Sequence, residues 1–165
     1  MPSGKIHAGI TVATAGLTYT IGTKSGDPPE YAVATALGCI IGIILTPDLD
    51  IKGTEADRVV RESAGLIPAL VWGILWNPYS ALIPHRSILS HGLIIGTLIR
   101  LLYIAVPLAL LGILPKPGPI ISRMILGLVM SDNMHIGADF LISGLKDIVE
   151  RKKKEWTNEI HKKIY

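Results

Sequence analysis

Cysteine is almost missing from this chain. Cys39 stands alone inside an apolar run, so an intramolecular disulfide is impossible and a cysteine-based zinc site is excluded. Phenylalanine also occurs once, aromatic residues make up 5% of the sequence, and charged residues only 18%. Aliphatic and small residues fill the space: 49% of the 165 residues are apolar and the mean hydropathy is +0.46. The length suits one domain. The few charges are bunched, leaving long uncharged stretches that point to a membrane. Basic residues crowd into the last twenty positions with no groove-reading motif, so nucleic acid is not an expected partner. The first 25 residues are rich in Thr and Gly, show no small-residue cleavage site, and read as mature chain.

The apolar stretches define the expected elements. Ala8 to Thr23 is a helix that leaves through the turn Lys24-Ser25-Gly26-Asp27-Pro28-Pro29. Residues 31–46 form a second helix, halted by Pro47 because a proline ring disfavours helix in the residue before it. Both runs fall short of the roughly 20 residues that cross a hydrocarbon core. Residues 51–63 are a charged surface helix. Residues 64–84, with Pro68, Pro78, Pro84, Trp72, Trp76 and Tyr79, suit an interfacial or re-entrant segment. Ile88 to Leu114 is the longest apolar run, expected to kink at Pro107, and residues 120–145 supply a fourth helix. The expected fold is therefore all-α: a polytopic membrane bundle of about four crossing helices. Residues 1–145 form its membrane-embedded domain and residues 146–165 a basic amphipathic tail.

Up-and-down helices of this order gather the polar residues at one end. His7 precedes the first helix, Asp48 and Asp50 follow the second, His85 and His91 open the third, and His135 and Asp139 lie late in the fourth. Twelve of the sixteen Lys and Arg residues fall on that same side and two, Lys24 and Lys116, on the other. The positive-inside rule then puts the cluster and both termini at the cytoplasmic face of a cell membrane.

His135 and Asp139 are four apart, so they share a helix face, with Asp132 on the same stripe. Such a pair can bind a metal, or hydrogen-bond to itself in a bundle core. Asp48 and Asp50 alternate on an extended segment, which points them apart: one toward metal, the other toward a ligand imidazole or a helix cap. His85 and His91 are six apart and converge only if a helix starts between them, with Ser87 as N-cap. Arg86 then lies beside the site, where its fork could hold a phosphate or meet lipid headgroups. His161 reads as a surface residue, and Arg100 needs a partner inside the bundle.

The stretches Met1-Pro2-Ser3-Gly4-Lys5-Ile6-His7, Thr46-Pro47-Asp48-Leu49-Asp50, Trp76-Asn77-Pro78-Tyr79 and His85-Arg86-Ser87-Ile88-Leu89-Ser90-His91-Gly92 resemble a prokaryotic family of metal-binding proteins, many of which begin Met-Pro-Ser-Gly. The ligand order is similar to that of membrane-bound metal-dependent hydrolases related to the YdjM protein and, more remotely, to the zinc-dependent phospholipase C and P1 nuclease superfamily. That resemblance implies that His135 and Asp139 serve neighbouring metals, with His7 and Asp48 as further ligands. The superfamily's additional His-x-x-x-Glu pair has no counterpart here, which favours one or two ions over three.

The sequence thus predicts a membrane-embedded, metal-dependent hydrolase of a phosphate ester, with a lipid or an anionic small molecule as substrate. His7, Asp48, His85, His91, His135 and Asp139 would ligate zinc, or manganese or iron. Asp50 would bridge or orient a ligand, and Arg86 would bind the anion. The rival readings are a structural or ion-handling metal site without turnover, and a scaffold whose basic tail recruits partners to anionic lipid.

Overall fold

Glycine and threonine, rather than leucine, line the contacts that hold the helices together. In the computed structural model, which describes residues 4–114, 116 and 118–164 (backbone only from 159), all regular structure is helical. Met1, Pro2, Ser3, Pro115, Pro117 and the side chain of His161 lie outside the described residues.

Helices α1 (Gly4–Lys24) and α2 (Pro29–Ile41) form a hairpin, turned at Gly26 and restarted by Pro29 in the first turn, where a missing N–H costs nothing. Both lie against α7 (Pro119–Ile164). A Cβ on Gly38 would stand 1.9 Å from the Met124 carbonyl oxygen, and one on Gly127 would stand 1.9 Å from that of Thr35. Backbone therefore meets backbone, the close approach that small residues permit between apolar helices. Cys39 Sγ donates to the Gly127 carbonyl at 3.2 Å, and the Thr11 and Ser131 hydroxyls pair at 3.1 Å. At the far end Arg123 forks onto both Asp27 oxygens at 3.0 Å.

The outward faces are apolar. Val12, Leu17 and Ile21 on α1, Val33 and Leu37 on α2, and Phe140 and Leu141 on α7 are exposed, while Thr11, Thr14, Thr18 and Thr35 are buried. Large apolar side chains thus lie outside and threonines inside along these helices. By length and composition α7 is apolar enough to cross a membrane; α2, α4 (Leu66–Leu82) and α6 (Ile95–Leu110) are apolar but shorter.

The middle of the chain departs from expectation in three places. Residues 47–50 form a 3-10 turn rather than an extended segment. Thr46 caps it by accepting from the Asp48 N–H at 3.4 Å, and Leu49 anchors it in a small core with Ala56, Trp76 and Tyr79. Residues 66–82 are one helix that carries both Pro68 and Pro78, packed against α3 (Glu55–Ala64), whose Thr54 and Asp57 close a capping box. The long third helix is broken: α5 (Ile88–His91) is a single turn, and α6 starts only at Ile95. The reason is a doubled-back backbone. A Cβ on Gly96 would lie 2.3 Å from the Ser90 carbonyl oxygen, one on Gly92 would lie 2.2 Å from that of Ile88, and Ile94 adopts φ 64° to make the bend. The basic tail, finally, is no separate element; α7 runs through residue 145 without a break.

Candidate metal centre

Four parts of the chain meet at one end of the helices: the start of α1, the 3-10 turn, the α5 turn, and α7 about four turns in. They bring His7, Asp48, Asp50, His85, His91, His135 and Asp139 together. His7, His135 and Asp139 are buried and offer donor atoms within 4.8 Å of one another; Asp48, His85 and His91 form a second such trio. The His7 and His135 rings stack, with centroids 3.7 Å apart and planes 12° from parallel.

The contacts divide into two kinds. Some are hydrogen bonds that set the rings: His85 Nδ1 donates to Asp50 Oδ1 at 2.9 Å, and His91 Nδ1 lies 3.0 Å from Ser90 Oγ. The single Ser90 hydroxyl proton has two carbonyls to choose from, Pro84 at 3.2 Å and Ser87 at 3.3 Å, so Ser90 Oγ accepts from His91. In the neutral rings of His85 and His91 this leaves Nε2 bare.

The other contacts lie at 3.2–3.7 Å without forming hydrogen bonds. His7 Nε2 stands 3.2 Å from Asp139 Oδ1, His135 Nε2 3.7 Å from Asp139 Oδ2, and His91 Nε2 3.4 Å from Asp48 Oδ1. A further 3.4 Å separates His135 Nε2 from Asp48 Oδ2. The buried His91 Nε2, His135 Nε2, Asp48 Oδ1, Asp50 Oδ2 and Asp139 Oδ1 have no hydrogen-bond partner. Buried polar atoms without partners are costly, and a bare imidazole nitrogen facing a carboxylate oxygen is repulsive unless a cation lies between them. Two ligands at about 2.1 Å from a tetrahedral ion sit about 3.4 Å apart, the spacing seen here. The residues present therefore fit a divalent metal.

The surroundings tune the groups. Burial pushes the Asp48 carboxyl up, but the imidazoles of His135 and His91 outweigh it and hold the group well below the usual carboxylate range. Burial and the neighbouring His135 hold His7 below its ordinary value, in the neutral form that ligates.

Arg86 is exposed beside His85 in the left-handed region, at φ 59°, and its side chain makes no ion pair among the described residues. Asp132, on the predicted ligand stripe, is instead tied to Arg100 and to the Thr97 hydroxyl, all three buried. Arg100 Nη1 also donates to the Ser90 carbonyl at 3.1 Å, so Arg100, paired in the interior as expected, also braces α7 against the His91 turn. Thr46, Ser90 and Thr97 escape sequence reasoning. Only the adjacency of Ser90 to His91 gives a signal. A cavity of about 190 Å³ lined by His7, Thr11, Thr46, Asp48, Glu55 and His135 abuts the cluster.

Fold and site together describe an all-helical protein with a histidine and carboxylate cluster that fits a metal. The comparison with known families gives the same class. The chain belongs to the family described as "Uncharacterized metal-binding protein (DUF2227)", whose profile matches residues 2–123. His7, Asp48, Asp50, His85, Arg86 and His91 fall inside that match, and His135 and Asp139 beyond it. No curated protein and no solved structure matches the chain.

Proposed function

We propose that this protein is a membrane-embedded, metal-dependent hydrolase that cleaves a phosphate ester at the cytoplasmic face. The observation that carries the metal reading is the set of unpartnered, buried imidazole and carboxylate atoms held at ligand spacing. Nitrogen and oxygen donors in this mixture suit zinc best, with manganese or iron as substitutes. His7, Asp48, His85, His91, His135 and Asp139 would hold the metal, and Asp50 orients His85 through the 2.9 Å bond. A bound divalent ion supplies Lewis acidity, which lowers the pKa of water and stabilises charge on phosphoryl oxygens. Arg86, exposed beside His85, receives the anionic substrate group. The ligand order resembling membrane-bound hydrolases supports turnover, and the outward apolar faces with small-residue contacts inside support embedding in a bilayer.

A second reading, a structural or ion-handling site, draws on the burial of His7, His135 and Asp139, which join α1 to α7. Purification in detergent followed by metal analysis and assay against phosphate esters and phospholipid vesicles separates the outcomes. The expected result is a bound transition metal, lost in His135→Ala/Asp139→Ala, and metal-dependent ester cleavage. Equal metal content in the two proteins overturns the proposal; metal without cleavage of either substrate class leaves the second reading.

A further inference from the structure

We infer that the cluster holds two divalent ions in adjacent and unequal positions, with the Asp48 carboxylate shared between them. The inference rests on the reading that the cluster binds metal, and it fixes the number of ions, the bridging residue and the position open to a substrate.

Asp48 is the pivot. Its Oδ2 faces His135 Nε2 and its Oδ1 faces His91 Nε2, both at 3.4 Å. His135 belongs to one ligand trio and His91 to the other. The donor count points the same way. Four imidazoles and two carboxylates are more than one zinc-type ion uses, because such ions are four-coordinate in protein sites. Divided at Asp48, the donors make two sets of ordinary size. Unpartnered atoms also occur on both sides, His135 Nε2 and Asp139 Oδ1 on one, His91 Nε2 and Asp48 Oδ1 on the other.

The positions differ in enclosure. The inner one has His7, His135 and Asp139, whose side chains are 8%, 6% and 11% exposed, and Asp48 Oδ2 completes a set of four. A closed four-donor shell is the structural pattern. The outer one has Nε2 of His91, Nε2 of His85 and Oδ1 of Asp48, three donors, and its His85 is 31% exposed. Three donors with a position open to solvent is the pattern of a site that exchanges ligands. Asp50, wholly buried, holds His85 in place by the 2.9 Å bond to Nδ1 and is a positioning residue. The sequence leaves Asp50 either to bridge or to orient a ligand; the 3-10 turn gives the bridging place to Asp48.

The test uses the full chain in detergent, stripped and reloaded with Mn²⁺, read by metal stoichiometry and by electron paramagnetic resonance. The wild type is expected to bind two ions per chain and give an exchange-coupled spectrum. His85→Ala, at an exposed position, is expected to keep one ion with an isolated-ion spectrum. Asp48→Asn is expected to lose the coupling. A wild type that binds a single ion, lost equally in His85→Ala and Asp139→Ala, overturns the inference and leaves the metal reading standing. Two ions without coupling overturn the shared carboxylate. A wild type that binds no metal overturns both this inference and the reading on which it rests.

Discussion

His7 Nε2 and Asp139 Oδ1 stand 3.2 Å apart, which brings the first turn of α1 against a point nearly midway along α7. The contact is longer than a good charge-assisted hydrogen bond, and Asp139 Oδ1 has no other partner. Metal removal should therefore loosen the whole helical unit. We expect chelation to lower the unfolding midpoint and re-addition of metal to restore it. A site filled at 100 times its Kd contributes about 2.7 kcal/mol. Thermal melts of the chelated and reloaded protein measure this, and His7→Ala should reduce the difference.

Acid should destabilise the metal-free protein in two stages. His7 has a folded pKa below its ordinary value, so the unfolded chain takes up its proton first as pH falls below about 6.5, and stability drops. Asp48 is depressed, so its contribution is present above the ordinary carboxylate range near pH 4 and is lost as pH falls toward the folded value. Melts of the stripped protein between pH 8 and 5 should show a falling midpoint that His7→Gln flattens. An unchanged midpoint across that range would contradict the assignment.

Arg100 and Asp132 are each 1% exposed. Removing one partner leaves a buried charge uncompensated, at a cost of about 3–5 kcal/mol, whereas replacing both with leucine costs less. We expect Asp132→Leu to be more destabilising than Arg100→Leu/Asp132→Leu in chemical unfolding. Because Arg100 also holds the Ser90 carbonyl, the double variant should weaken metal retention at His91.

The meeting of His7, Asp48, His85, His91, His135 and Asp139 is readable from helix order, because alternating directions return the chain to the same end. The pairing of Arg100 inside the bundle is readable because a lone cation in an apolar run requires it. The break at residues 92–94 is not, since Gly92 and Gly96 gain their meaning only from carbonyls of Ile88 and Ser90 that the fold presses against them. Nor is the 3-10 turn, whose geometry depends on Leu49 reaching a core built from Ala56, Trp76 and Tyr79.

Glycine substitutions should separate packing from propensity. Gly38→Ala would place a methyl group 1.9 Å from a backbone oxygen that cannot rotate away, so α2 and α7 must part, at a cost of about 1–3 kcal/mol. At Gly73, inside α4, a methyl group would meet no neighbouring element within 4 Å, and Gly73→Ala should stabilise by about 0.5–1 kcal/mol. Unfolding of the two variants in parallel checks the opposite signs.

Reporter fusions test the orientation. A fusion in the loop at residues 115–119 should report the side of the membrane opposite to that reported by a fusion after Tyr165. Cytoplasmic signals from both would overturn the orientation and the embedding.

The uninterrupted course of α7 makes it a ruler. Asp139 and Arg151 ride on one rigid rod, twelve residues or about 18 Å apart. Wherever the Arg151-Lys152-Lys153-Lys154 segment comes to rest against an anionic surface, the depth and the rotational angle of His135 and Asp139 are set with it. A residue added to or deleted from α7 between Asp139 and Arg151 would turn the basic segment by about 100° relative to the ligands without touching a single donor.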